Sequence, residues 1–125
     1  MFKMFLLLGS IQAFLAVALG AFGAHGLESR LTAKMLHVYQ TGVQYHLIHA
    51  MGIILIAILS ERMSGTPLVS WAGWLMFAGI VLFSGSLYAL SISGIKILGA
   101  ITPLGGLAFL AAWILLVVAA LKERV

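Results

Sequence analysis

The chain has 125 residues, 63% hydrophobic and 8% charged, with a mean hydropathy of +1.19. Soluble domains carry roughly a quarter charged residues, so this chain cannot cover itself with a water-facing surface and its solvent is lipid. The net charge of +4 is too sparse for a nucleic-acid-binding face, and the absence of Cys excludes disulfides, thiolate metal sites and cysteine nucleophiles.

About 20 apolar residues span a bilayer core. Four stretches qualify, at about 4–24, 42–59, 69–90 and 98–121. Backbone polar groups in lipid must be satisfied within each segment, and the connections are short. The expected fold is therefore an all-α integral membrane protein, one transmembrane domain over 1–125. Its four transmembrane helices form an antiparallel bundle, with a short amphipathic helix between helices 1 and 2.

Helix 1 follows Lys3 and is longer than the roughly 7–15 apolar residues of a signal-peptide core, so a spanning helix is expected. Gly9, Ala13, Ala16, Gly20 and Ala24 recur every three or four residues, a stripe that lets backbones approach closely. Gln12 is polar at mid-membrane, the pattern of an interhelical hydrogen bond. GAFGAHGL (20–27) closes the helix, its glycines suited to a left-handed cap, with His25 at the turn and Gly23 and Gly26 giving room. Ser29 or Thr32 then starts the amphipathic segment, which either stands as a short interfacial helix or runs on into helix 2 with only a bend at Gly42.

The chain is organised around helix 2. Its first half carries Gln40, Thr41, Gln44, Tyr45, His46 and His49, and its second half carries nothing polar. Polar side chains inside a membrane point to function unless they are paired. His46 and His49 are three apart, so one ligand is within reach of both. SGTP (64–67) reads as a turn. Helix 3 opens with Trp71 and Trp74 at the level of an interfacial aromatic belt. Ala72, Gly79, Ser86 and Ser93 form a seven-residue seam, while Ser84, Tyr88 and Ser91 share another face. The serines either bond their own preceding turn or serve a site. Pro103 lacks a backbone donor. Either the last helix starts near Leu98 and kinks, or Thr102 caps it with Pro103 at the first position and Gly99 lies in an interfacial piece before it. Gly105, Ala108, Ala112 and Ala119 make another close-packing stripe.

Antiparallel connectivity brings GAFGAHG, QYHLIH, SGSLYALS and GAITPLGG to one side of the membrane. FLLL, ILIAIL, WAGWLMF and WILLVV fall on the other, mostly as plain lipid-facing or core material. His25, Gln44, Tyr45, His46, His49, Ser84, Tyr88 and Thr102 are the candidate ligand-binding residues. Gly23, Gly26, Gly99, Pro103, Gly105 and Gly106 supply clearance or hinges. Lys3, Arg62, Lys122 and Arg124 outnumber Arg30, Lys34 and Lys96, which favours cytoplasmic termini.

GAFGAHGL, YHLIHA, WAGWLMFAGIVLFSGSLY and GAITPLGG, in this order, resemble the small bacterial membrane proteins grouped as domain of unknown function 423. The resemblance spans nearly the whole chain and implies a four-helix plasma-membrane protein. It transfers no activity and no catalytic residues.

Three functions compete. In the first, a small ligand, lipid head group or ion enters the polar half between helices 1, 2 and 4. In the second, the chain is a structural or accessory subunit without ligand, a homo-oligomer joined through small-residue helix faces. In the third, His46 and His49, with His25 or His37, hold a metal or haem. No carboxylate lies inside the membrane to act as a base, so the sequence points away from an enzyme. No catalytic residue, metal ligand or cofactor is assigned.

Overall fold

The computed structural model describes residues 1–63 and 66–122. Four helices long and apolar enough to cross a membrane follow one another: α1 (Phe2–Leu27), α2 (Ala33–Arg62), α3 (Leu68–Ser93) and α4 (Lys96–Lys122). They are antiparallel neighbours. Gly9 of α1 lies against Ala50 and Ile54 of α2, and Gly20 against Val43, so the contact moves down one helix as it moves up the other. In α3 and α4, Gly79 meets Phe109 and Gly105 meets Phe83. α1 packs mainly on α2 and α4 mainly on α3, with α2 and α3 in contact between them.

The small-residue stripes of α1, α3 and α4 face inward except at Ala24 and Ser93, which are exposed. Gly9, Ala16, Ala72, Gly79, Gly105, Ala112 and Ala119 are all buried. Small residues at helix contacts let backbones come close enough for dispersion to hold helices in lipid, where the hydrophobic effect gives no drive. The apolar core of Phe5, Ile53, Ile56, Val69, Ala72 and Met76 fills the half of the bundle that holds the first turns of α1 and the last turns of α2. The polar residues lie in the other half, the division that the sequence pattern implies.

Two local details differ from expectation, and a third decides between the two readings of Pro103. The amphipathic segment is not a helix of its own: Thr32 caps α2 by accepting from the Met35 amide at 3.2 Å, and α2 is continuous through Gly42 to Arg62. GAFGAHGL carries no left-handed glycine. α1 instead widens into a π-helical turn over Gly23–Leu27, and the one positive-φ glycine among the described residues is Gly94, at +74°, which ends α3. Before Pro103 the chain makes a 3₁₀ turn, Lys96–Ala100, and the α-helical part of α4 starts at Thr102. Pro103 thus sits in the first turn, where its missing N–H would have no intrahelical partner. Part of the expected turn at 64–67, and the Glu123 and Arg124 expected beyond the lipid, lie outside the described residues.

Candidate functional site

The polar residues of the membrane interior fall into two constellations. The first is a buried chain across α1, α2 and α3. His46, 3% exposed, places Nε2 2.9 Å from Gln12 Oε1 and Nδ1 2.9 Å from the Tyr88 hydroxyl. A carbonyl oxygen only accepts, so His46 Nε2–H donates to Gln12 and Nδ1 accepts from Tyr88. The Tyr88 ring stands 5.2 Å from that of Tyr39, whose hydroxyl donates to the Leu19 carbonyl of α1. Tyr39 reaches that carbonyl because Gly23 offers no Cβ where the ring passes. Ser84 donates to the Gly42 carbonyl at 2.7 Å, tying α3 to α2.

The second constellation is aromatic and lies between α2 and α4, floored by α3. Trp113 Nε1–H donates to His49 Nε2 at 3.0 Å, and His49 Nδ1 is 2.8 Å from the Tyr45 carbonyl. An indole N–H only donates, which fixes His49 as the neutral tautomer with its proton on Nδ1, given to Tyr45. The His49 ring lies on Phe109 at 3.5 Å and 6°. Tyr45 is nearly parallel to both, 6.3 Å from His49 and 6.5 Å from Phe109. A ring almost equidistant from two stacked rings stands beside the stack, not above it. The rings therefore build a wall, and no slot for a sandwiched ligand opens between them.

That wall lines a cleft of about 720 Å³ between α2 and α4, bordered by Ile48, Phe83, Pro103, Gly106, Leu110 and Trp113 as well as Tyr45, His49, Phe109 and Leu107. Its volume is within the roughly 300–1,000 Å³ of small-molecule sites. Ile48, Leu107 and Leu110 are strongly exposed, so the cleft opens towards lipid.

Of the candidates named from sequence, the structure brings Tyr45, His49, Pro103 and Gly106 to the cleft. His46 and Tyr88 belong to the buried chain. Ser84 is spent on the α2 backbone, and Thr102 lies 2.6 Å from Ser86. Because Ser86 already donates to the Phe83 carbonyl at 2.9 Å, Thr102 donates to Ser86 and joins α4 to α3. Ser86, Ser91 and Ser93 bond the preceding turn of their own helix; Ser84 does not. His25 and Gln44 lie exposed on the surface. Gly23 is under Tyr39, Gly26 is against Phe22, Gly105 is against the Phe83 backbone, and Gly99 is in the 3₁₀ turn.

His46 and His49 do not reach a common ligand: their rings turn to different neighbours, and all four ring nitrogens have hydrogen-bond partners. Among the described residues no three His, Cys, Asp or Glu gather to hold a metal, and no buried side-chain polar atom lacks a partner. The cleft described above lies between α2, α3 and α4 rather than between helices 1, 2 and 4. Gln12, His46 and Tyr88 close the space beside α1, and the cleft opens on the far side of α2. Phe83, Phe109 and Trp113 were not singled out from sequence, and Trp113 stood in a segment read as plain. Its signal was position: a tryptophan eleven residues past the start of an α-helical segment at Thr102 is far from the interface where tryptophans normally sit.

A four-pass membrane bundle with a buried polar chain on one side of α2 and an aromatic cleft on the other defines the class of protein. The chain matches the family described as "Protein of unknown function (DUF423)" over residues 19–106, and it belongs to that family. It is 62% identical over 120 residues to the UPF0382 membrane protein YwdK of Bacillus subtilis (strain 168), covering 96% of this chain and 98% of that one. It is 48% identical over 120 residues to a UPF0382 membrane protein of Staphylococcus haemolyticus, covering 96% and 97%. No solved structure matches it significantly.

Proposed function

We propose that this membrane protein binds a lipid-soluble molecule in the cleft between α2 and α4, with the molecule's apolar body against the wall of Tyr45, His49, Phe109 and Trp113. The observation that carries this reading is the cleft itself: about 720 Å³, lined by Tyr45, His49, Phe83, Phe109 and Trp113, and bordered by the exposed Ile48, Leu107 and Leu110. An ion or free head group in the polar interior has less support, because the polar groups there bond one another. The protein acts in the plasma membrane, with both termini in the cytoplasm, following the excess of Lys and Arg at the terminal side.

Gly106 borders the cleft, and the nearest atom to a Cβ added there is 3.9 Å away. Gly106→Leu therefore fills the cleft without straining the helix contact. Delipidated protein should gain thermal stability when a native lipid extract is added, and Gly106→Leu should lose that gain. An equal gain in both proteins rejects the reading. A second reading, an accessory subunit whose cleft receives a partner's helix, draws on the exposure of Leu107, Leu110 and Ile48. It predicts one stoichiometric protein partner on purification and no response to lipid.

A further inference from the structure

Above the cleft, α2 carries a graded stripe. Lys34, His37, Thr41, Gln44 and Ile48 are spaced three, four, three and four residues apart, which keeps them on one helix face. Lys34, His37, Gln44 and Ile48 are exposed and Thr41 is half-buried. The Thr41 hydroxyl donates to the His37 carbonyl at 3.0 Å. The His37 and Gln44 side chains bond no other group among the described residues. Ile48 lines the cleft, so the stripe descends from a cation, through hydrogen-bonding groups, into the aromatic wall.

The geometry points to the occupant of the cleft: we infer that it is one anionic membrane phospholipid, with its phosphate at Lys34, its ester groups beside His37, and an acyl chain running past Ile48 to Trp113. This rests on the cleft being a binding site at all. From Lys34 to Ile48 is about 21 Å at 1.5 Å per residue. One leaflet from head group to midplane is about 20–22 Å, half of a whole bilayer. The stripe is thus as long as the lipid it is matched to, with its one charge at the head-group end. The charge at this end of the bundle agrees: Arg30, Lys34 and Lys96 stand against Glu28 alone, and a basic side chain near the surface favours an anionic head group.

The test uses the full chain in detergent and native mass spectrometry with phosphatidylglycerol or phosphatidylcholine of identical acyl chains. The wild type should retain one phosphatidylglycerol about fivefold better than phosphatidylcholine, the effect of one lysine near a head group. Lys34→Gln should abolish that preference while still binding phosphatidylcholine. Equal retention of the two lipids by the wild type, or a preference unchanged in Lys34→Gln, overturns the inference and leaves the cleft standing. Full retention of both lipids by Gly106→Leu, and by Leu110→Trp at an exposed cleft position, overturns the cleft reading beneath it. Many lipids bound without saturation at one, or a protein that displaces them, overturns both.

Discussion

At the scale of single residues, the buried chain from Gln12 to Tyr88 shows how polar groups are held in a bundle this apolar. His46 sits between an acceptor on α1 and a donor on α3, so removing either neighbour strands one of its nitrogens. A stranded buried donor costs about 1–3 kcal/mol, whereas removing both partners together costs less. Gln12→Leu should therefore destabilise the protein by about 1–3 kcal/mol, and Gln12→Leu with His46→Leu should cost less than the two changes summed. Unfolding of the three variants in mixed micelles measures this, and strict additivity rejects the coupling. Gln12 was legible in the sequence as an interhelical bond because a lone amide at mid-membrane has few other uses. The division of His46 from His49 was not. Spacing places both on neighbouring faces of α2, but only the positions of Gln12, Tyr88 and Trp113 decide which way each ring turns.

At the scale of helices, contact distance is set by glycines at particular crossings. A Cβ on Gly105 would fall on the backbone of Phe83, and backbone cannot swing aside as a side chain can. This crossing lies beside the wide π-helical turn of α3, Ile80–Ser84, where a single-turn bulge shifts the helix faces that follow. The bulge leaves Phe83 towards α4 and the cleft while Ser84 points to α2. The neighbouring Gly106 has open space instead. Gly105→Ala should lower the melting temperature markedly, an overpacking cost of about 1–3 kcal/mol. Gly106→Ala should leave it unchanged or slightly raised, since alanine favours helix by up to about 1 kcal/mol over glycine. A thermal melt of the two variants decides it, and similar behaviour would reject the crossing as drawn. Four spans, their order and the close-packing stripes were readable from runs of apolar and small residues. The π-helical turns were not, because IVLFS carries no helix-breaking residue and the glycines of GAHGL point to a left-handed cap rather than to a wider turn.

At the scale of the whole molecule, the antiparallel order sets one half of the bundle as an apolar clamp and the other as the place where polar and aromatic groups gather. That separation was visible from connectivity alone, since consecutive spans must return to the side they left. What connectivity leaves open is which half faces the cytoplasm, and the proposed orientation follows a charge count with a margin of one: Lys3, Arg62, Lys122 and Arg124 against Arg30, Lys34 and Lys96. The proposed cytoplasmic termini would put the cleft and the Lys34 stripe in the outer leaflet. The chain has no native Cys, so introduced thiols report without background. Ser29→Cys, in the exposed connection between α1 and α2, should react with a membrane-impermeant maleimide in intact cells stripped of wall. A cysteine appended after Val125 should react only after lysis. The reverse pattern would move the cleft to the inner leaflet, where anionic lipid is also available, and would show that a margin of one charge is outweighed by the insertion of the first helix. Labelling of both sites in intact cells would mean that copies insert in both directions, and a cleft matched to one leaflet would then serve each side of the membrane in turn.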